Sequence, residues 1–401
     1  MRPFDRQRIL LGVTGGIASY KSAWLARLLT QAGAEVDVVL TRSAREFVGE
    51  VTFEALTGRP VHTALVAAGH ALDHIKLARQ ANLVVVAPAT ADFLARAAGG
   101  HADELLSACL LATTAPMLLV PAMNDRMWAH AQVQHNVRAI EALGYHVLPP
   151  DDGALAVGEG SGPGRMPEPE TILAHSARLL EPAGPLRGRR VLVTAGPTRE
   201  AVDPVRFLSN RSSGRMGVEI AGAAWRRGAA VTLVAGPLEV ATPIGAHHVP
   251  VESTHDMRDA VAAALPMADV LVMAAAPADF TPATPAKQKL KKAEAPAAVP
   301  LARTDDILLT TRDLRAPHAV IVGFALETQQ AVAEGHRKRR DKALDFVVVN
   351  DATEPGAGFA VDTNRVTIIG PDDREEALPL LSKREVAEAI LDRVEAVLRG
   401  R

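Results

Sequence analysis

Residues 193–217 read VTAGPTREAVDPVRFLSNRSSGRMG: an apolar strand gives way to a polar turn, and a helix follows from Met216. Backbone N–H groups at a strand-to-helix turn, the positive end of a helix dipole and nearby guanidinium groups make a seat for phosphate or carboxylate. Arg199, Arg206, Arg211 and Arg215 supply the cations. An ordinary α/β turn edged with solvated arginines has the same composition, so the rest of the chain must decide.

Similar chemistry is spaced along both halves. GVTGGIASYK (12–21) offers turn N–H groups and Ser19 at a helix start, suited to one phosphate; LTRSA (40–44) and VVVAPATAD (84–92) add small hydroxyl residues after two further strands. DHIKLAR (73–79) carries His74, an imidazole suited to moving protons near neutrality, and PAMNDRMW (121–128) carries Asn124, whose amide can donate to a carboxylate. Taken singly, such residues commonly serve as turns, caps or surface. In the second half, AAAPADFTPA (274–283) places Asp279 where a base or ribose hydroxyl could be met. KQKLKK (287–292) has the composition of a solvated linker, whereas Lys338 and Lys342, four apart, share one helix face.

These segments need elements to hold them. Strand 9–13, a TGG turn, helix 19–31, a stop at Gly33 and strand 35–40 open the first half; strand 191–194, helix 216–227, Gly228 and strand 231–235 repeat the arrangement in the second. Apolar runs at 83–87, 117–120, 270–273, 320–324 and 346–349 read as buried parallel strands between helices. EPAGPLRGRR (181–190) is an exposed linker by its Pro and Gly content, which sets the boundary near Gly184 and the domains at 1–183 and 184–401. The expected class is α/β: two doubly wound Rossmann-like domains with ligands at the strand carboxyl ends. Neither glycine turn is G-x-G-x-x-G, which argues against a dinucleotide dehydrogenase. Residues 151–169, with glycines at 153, 158, 160, 162 and 164, read as a loop without regular structure.

Bulk composition fits a cytoplasmic enzyme. A chain of 401 residues has room for roughly two or three cores, and a net charge of −2 leaves no electrostatic footprint for nucleic acid or an anionic membrane. The single cysteine, Cys109, excludes an internal disulfide and fits a reducing compartment. No apolar stretch reaches the roughly 18 residues of a transmembrane helix. The apolar run after MRPFDRQR ends at the TGG turn and Lys21, so it reads as a first strand instead of a signal peptide.

Taken in order, the motifs resemble known families. Residues 8–180 resemble the flavin-dependent cysteine decarboxylases, and the 193–217 block resembles the signature of the phosphopantothenate-cysteine ligases. Nearly the whole chain resembles the fused bacterial phosphopantothenoylcysteine decarboxylase and phosphopantothenate-cysteine ligase of coenzyme A biosynthesis. The resemblance implies a flavodoxin-like domain holding FMN through Gly15, Gly16, Ile17, Ser43, Ala89, Thr90 and Ser107. His74 would manage protons at a substrate cysteine thiol, with Met123, Asn124, Arg165 and Met166 at the substrate. In the ligase domain it implies CTP held by Ala275, Ala276, Asp279, Thr304, Asp305, Asp306, Ile307, Phe324, Lys338 and Lys342. Lys289 would neutralise charge on the transferred phosphoryl group, and Asn210 would hold the acyl-cytidylate. Arg206, Ser212 and Gly214 would bind substrate phosphate or carboxylate across a subunit interface. Mg2+ is expected as counter-charge, with no ligand set assigned, and the homo-oligomer is expected to use trimeric flavin domains and dimeric ligase domains. The implied order is CTP-dependent ligation of cysteine to 4'-phosphopantothenate, then decarboxylation of phosphopantothenoylcysteine to phosphopantetheine.

The chain also departs from these families. In the substrate lid, usually A-C-G-E before G-x-G-R-M, Val157 stands in the place of the cysteine, the expected proton donor of the final reduction. A valine cannot donate a proton. Cys109, in LLSACLLAT, reads as a small apolar helix residue, not a substitute. Asp103 and Glu104 stand where an Asn is usual, and Thr304 and Asp305 interrupt a segment usually written K-N-P-D-I. Two alternatives stay open: a working ligase joined to an oxidative decarboxylase that releases an enethiol, or one joined to a flavin-binding regulatory scaffold. Asp151, Asp152, Glu159 or a water could replace the missing donor.

Overall fold

The computed structural model describes residues 3–66, 71–158, 160–291, 298–327, 329–351 and 361–400, so Glu159, Lys292 and Thr328 lie outside the described residues. The chain forms two compact units, Met1–Pro182 and Ala183–Arg401.

In the first unit, β1 (Arg8–Val13), β2 (Glu35–Leu40), β3 (Val61–His62), β4 (Leu83–Ala89), β5 (Met117–Pro121) and β6 (His146–Val147) make a sheet in the order β3-β2-β1-β4-β5-β6. Every pairing is parallel. Because side chains alternate across a strand, Ile9, Leu11 and Val13 of β1 join one core with α1 (Ser19–Gln31), α2 (Glu50–Thr57) and α8 (Pro169–Leu180). Leu10 joins the opposite core with α3 (Asp73–Gln80), α4 (Ala91–Gly99), α5 (Leu105–Ala112) and α7 (Ala131–Ala142). A short α6 (Asp125–Ala129) precedes α7. Burial on both faces explains why β1 and β4 are apolar without alternation. The strand order reverses between β1 and β4, and a crevice opens at their carboxyl ends.

The expectation of a loop without regular structure fails. Residues 151–169 do contain regular structure: β7 (Asp151–Ala154) pairs antiparallel with β8 (Ser161–Arg165). The glycines serve the hairpin. Gly158 and Gly160 have positive φ at its turn, and Gly164 runs so close to the PAMN segment that a Cβ there would lie 2.2 Å from Met123 O.

In the second unit, β9 (Arg190–Ala195), β12 (Ala230–Ala235), β13 (His247–Pro250), β14 (Val270–Met273), β17 (Val320–Glu327) and β18 (Phe346–Asp351) form a parallel sheet in the order β13-β12-β9-β14-β17-β18. Here β17 and β18 run past the expected 324 and 349. Antiparallel β20 (Val366–Ile369) and β21 (Glu375–Ala377) extend the sheet beyond β18. Small ribbons β10 (Arg199–Ala201) with β11 (Phe207–Ser209), β15 (Phe280–Pro282) with β16 (Leu301–Arg303), and β19 (Thr363–Asn364) with β22 (Leu381–Ser382) complete it. The helices are α9 (Arg215–Arg226), α10 (Thr254–Ala264), α11 (Ile307–Thr310), α12 (Ala331–Asp341) and α13 (Lys383–Gly400). Among the described residues, no helix is long and apolar enough to cross a membrane.

Candidate functional site

A cavity of about 700 Å³ opens at the strand carboxyl ends of the second unit. Its floor is built by three loops tied together. After β9, Thr198 Oγ1 accepts from Ala278 N (2.9 Å), Gly196 O accepts from Ala276 N (2.9 Å), and Ser209 Oγ donates to Thr198 O (2.7 Å). Asn210 then crosses to the loop after β14, its Nδ2 donating to Ala276 O and Pro277 O, both at 3.0 Å. Gly214 caps α9 with φ +78, so Ser212, Ser213, Gly214 and the N-terminus of α9 line the cavity. That brings the positive end of the α9 dipole and the Arg215 guanidinium to the cavity lining, an arrangement that attracts phosphate.

The opposite wall holds Ala275, Ala276, Asp279, Thr304, Asp305, Asp306, Ile307, Phe324, Lys338 and Lys342. Their mutual contacts set the geometry. Thr304 Oγ1 donates to Ala278 O; Asp306 caps α11 by accepting from Leu309 N at 3.2 Å and pairs with Lys342 at 2.7 Å. Asp305 pairs with Arg258, and Lys338 pairs with Glu327 at 2.7 Å. Both lysines are therefore pre-positioned cations, half-buried at the cavity edge.

Lys289 is not among the lining residues, and neither is Arg206, which was expected to act across a subunit interface. The Arg206 guanidinium is held by Asp203 and donates to Leu290 O at 2.7 Å, and the contact holds the Asp203 carboxyl well below the usual range. Lys289 is exposed. Three residues to which the sequence assigned no role do line it: Asn350, Asn364 and Lys383. Burial pushes the Lys383 ammonium down, the Arg215 charge adds to that, and Asp362 opposes it. The one available signal was the polar Asn at the carboxyl end of a buried strand, VVVND.

In the first unit, Gly15, Gly16 and Ile17 form the turn after β1, Ser43 follows β2, and Ala89 and Thr90 close β4. Thr14 ties them: its Oγ1 donates to Pro88 O (2.8 Å) and accepts from Thr90 N (3.1 Å). A Cβ on Gly16 would meet only Thr90 Cγ2, at 3.9 Å, and the buried Ser19 Oγ at the start of α1 has no hydrogen-bond partner among the described residues. Both features suit a phosphate-bearing ligand. Ser107 spends its hydroxyl on the capping box of α5, donating to Glu104 O at 3.0 Å.

His74 lies in the first turn of α3 and lines a 410 Å³ apolar cavity with Leu65, Val66, Ala71 and Leu111; its buried Nδ1 has no partner among the described residues. Cys109 packs behind it, its Sγ donating to His74 O at 3.6 Å and its thiol pushed up to about 12 by burial and then by the Asp73 charge, which keeps it a protonated thiol at neutrality. Asn124 caps α6, its Oδ1 accepting from Arg126 N at 2.9 Å, so the N–H groups of its amide are the ones able to meet a carboxylate. Met123 N donates to Gly164 O (3.0 Å), joining that segment to the hairpin. Lys21, buried, holds the hairpin's exit by donating to Met166 O (2.9 Å) and to Glu168 (3.1 Å), and Arg165 also pairs with Glu168. Val157 sits at the hairpin tip, fully exposed.

Comparison with known proteins follows the same division. Residues 2–181 match the Flavoprotein family, and residues 186–398 match the DNA/pantothenate metabolism flavoprotein C-terminal domain. A coenzyme A biosynthesis bifunctional protein CoaBC from Vibrio vulnificus is 40% identical over 402 residues, covering 99% of this chain and 100% of that relative. The chain belongs to the CoaBC family. A CoaBC protein from Mycobacterium tuberculosis is 46% identical over 409 residues, covering 98% of this chain and 97% of that protein. A solved C-terminal domain of a CoaBC protein is 37% identical, with a TM-score of 0.47, covering 55% of this chain and 100% of its own.

Proposed function

We propose that the cavity of the second unit binds CTP and phosphopantothenate and joins the latter to cysteine, while the first unit binds FMN and decarboxylates the product. The chain is a bifunctional enzyme of coenzyme A biosynthesis with ligase and decarboxylase activities. The observation that carries the finer reading is one cavity wall: the N-terminus of α9 with Ser212 and Gly214, opposite Lys338 and Lys342. These groups suit a triphosphate, and Asp279 and Phe324 suit the nucleoside.

In this reading the phosphopantothenate carboxylate attacks the α-phosphate of CTP, the bond to pyrophosphate breaks, and an acyl-cytidylate forms. Asn210 holds it; Lys289 swings in from its exposed segment to offset phosphoryl charge. Cysteine nitrogen then displaces CMP. Mg2+ enters on the triphosphate, as is usual for a cation that keeps most of its waters. Arg206, held by Asp203, meets the substrate of a neighbouring copy in a dimer of ligase units, with the flavin units trimeric.

In the first unit the turn at Gly15, Gly16 and Ile17, with Ser19, Ser43, Ala89, Thr90 and Ser107, would hold FMN, which supplies two-electron oxidation of the substrate thiol when bound. His74 takes the thiol proton, Asn124 donates to the departing carboxylate, and Met123, Arg165 and Met166 hold the hairpin over the substrate. A cytoplasmic location belongs to the same reading and is supported by the single free thiol.

The test is direct. Purified protein given phosphopantothenate, cysteine, CTP and Mg2+ should release pyrophosphate and CMP and form phosphopantetheine by mass, with ATP in place of CTP much less effective. Flavin released by denaturation should be FMN. Absence of pyrophosphate release would remove the ligase assignment, and a protein without flavin the decarboxylase one.

A further inference from the structure

Asn350, Asn364 and Lys383 line the ligase cavity; Asn350 ends a segment read only for Lys338 and Lys342, and the other two lie in no segment singled out for nucleotide or acyl chemistry. Topology gathers them. Asn350 pairs with Val366 on the β18–β20 ladder, Asn364 pairs with Leu381 between β19 and β22, and the Lys383 N–H donates to Asp362 O at 2.9 Å. Asn364 is 2% exposed, and its Oδ1, like that of Asn350, is buried without a hydrogen-bond partner among the described residues. An unpaired buried acceptor costs about 1–3 kcal/mol, and two of them at one cavity ask for a ligand that donates. Cations stand beside them: Lys383 is 4% exposed, and Arg215 pairs with Asp362 at 3.0 Å.

This combination selects a particular ligand end. Carboxylates would hold an amine as its ammonium form. Carboxamide oxygens accept its N–H bonds without rewarding the charge, and nearby cations oppose the charge. A cation at the same place suits an anionic group on the same ligand.

We propose that Asn350, Asn364 and Lys383 form the amino-acid subsite of the ligase: the two carboxamide oxygens accept the N–H bonds of the neutral α-amine, and Lys383 takes the α-carboxylate. This rests on the ligase reading above. Holding both N–H bonds leaves the nitrogen lone pair for attack. The N–C bond forms, the acyl C–O bond to the cytidylate phosphate breaks, CMP leaves with the electron pair, and the surplus amine proton passes to water.

The experiment is steady-state kinetics on the full-length enzyme, with cysteine, CTP and phosphopantothenate each varied. Asn364→Ala and Asn350→Ala should each raise the KM for cysteine about tenfold or more, with a much smaller change in the KM for CTP. Wild type should prefer cysteine to cysteamine, which lacks the carboxylate, and Lys383→Gln should narrow that preference. A wild type that releases no pyrophosphate from CTP and phosphopantothenate overturns the ligase reading itself. If it does release pyrophosphate, the inference alone falls on any of three results: an unmoved KM for cysteine in both Asn variants, an equal rise in the KM for CTP, or equal use of cysteamine by wild type. The cysteamine comparison needs no substitution, so a variant that fails to fold does not protect the inference.

Discussion

Lys289 stands exposed next to an anchored residue: Leu290 N–H donates to Asp203 at 3.1 Å, and Leu290 O accepts from Arg206. Its neighbour's backbone is thereby fixed while its own stem remains long enough to swing. If its ammonium offsets charge on the transferred phosphoryl group, Lys289→Gln should slow pyrophosphate release about a hundredfold with flavin content unchanged. Release at the wild-type rate would return KQKLKK to a solvated linker. At Val157 the exposure matters in the other direction. An acid was expected at this position, but the hairpin tip is open to solvent, so water can supply the proton that valine cannot. Anaerobic decarboxylation of phosphopantothenoylcysteine by the wild type should therefore give saturated phosphopantetheine by mass. A product two hydrogens short would instead establish an oxidative decarboxylase.

At the scale of elements, two glycines hold the sites open. Gly214 has φ +78 at the head of α9, where a Cβ would meet Leu238 Cδ2 at 2.2 Å and Gly196 N at 3.1 Å. Gly214→Ala adds left-handed strain of about 1–2 kcal/mol and pushes the helix N-terminus off its seat, so the KM for CTP should rise about tenfold. Decarboxylation of supplied phosphopantothenoylcysteine should not change; a loss of both activities would mean global unfolding instead. Gly164→Ala should do the reverse, because its Cβ would strike the Met123 carbonyl and lift the hairpin from the PAMN segment. The KM for phosphopantothenoylcysteine rises and ligation is untouched; unchanged decarboxylation would show that the hairpin contact does not serve the substrate.

These same elements show how far the sequence could be read. Strands such as 83–87 and 270–273 were legible because burial on both faces leaves an unbroken apolar run between turns. The loops after β9 and β14 were legible because each carries its chemistry within a few residues. The hairpin was not, because glycines that look like disorder are required by its turn and by contact with a distant segment. Nor was the wall formed by Asn350, Asn364 and Lys383, which antiparallel pairings beyond β18 assemble from positions far apart in the chain.

For the whole molecule, the division into Met1–Pro182 and Ala183–Arg401 has a kinetic consequence. Every residue lining the ligase cavity falls in the second unit, and the turn, His74, Asn124 and the hairpin all fall in the first. On the proposed assignments each reaction therefore draws its groups from one unit, apart from what a neighbouring copy adds. Phosphopantothenoylcysteine, made in the second unit and consumed in the first on this reading, should therefore pass through solution between the two reactions. A Lys289→Gln chain should fail at ligation yet decarboxylate supplied phosphopantothenoylcysteine; a His74→Asn chain should ligate and accumulate that intermediate. Mixing the two from phosphopantothenate, cysteine and CTP should restore phosphopantetheine, at a rate set by the reduced complement of competent units and after a lag while the intermediate builds up. The lag is the diagnostic, because a free intermediate has to accumulate in solution before the second step saturates. Restoration that is absent, although each variant performs its surviving half-reaction at the wild-type rate, would show that the intermediate is handed over within one chain.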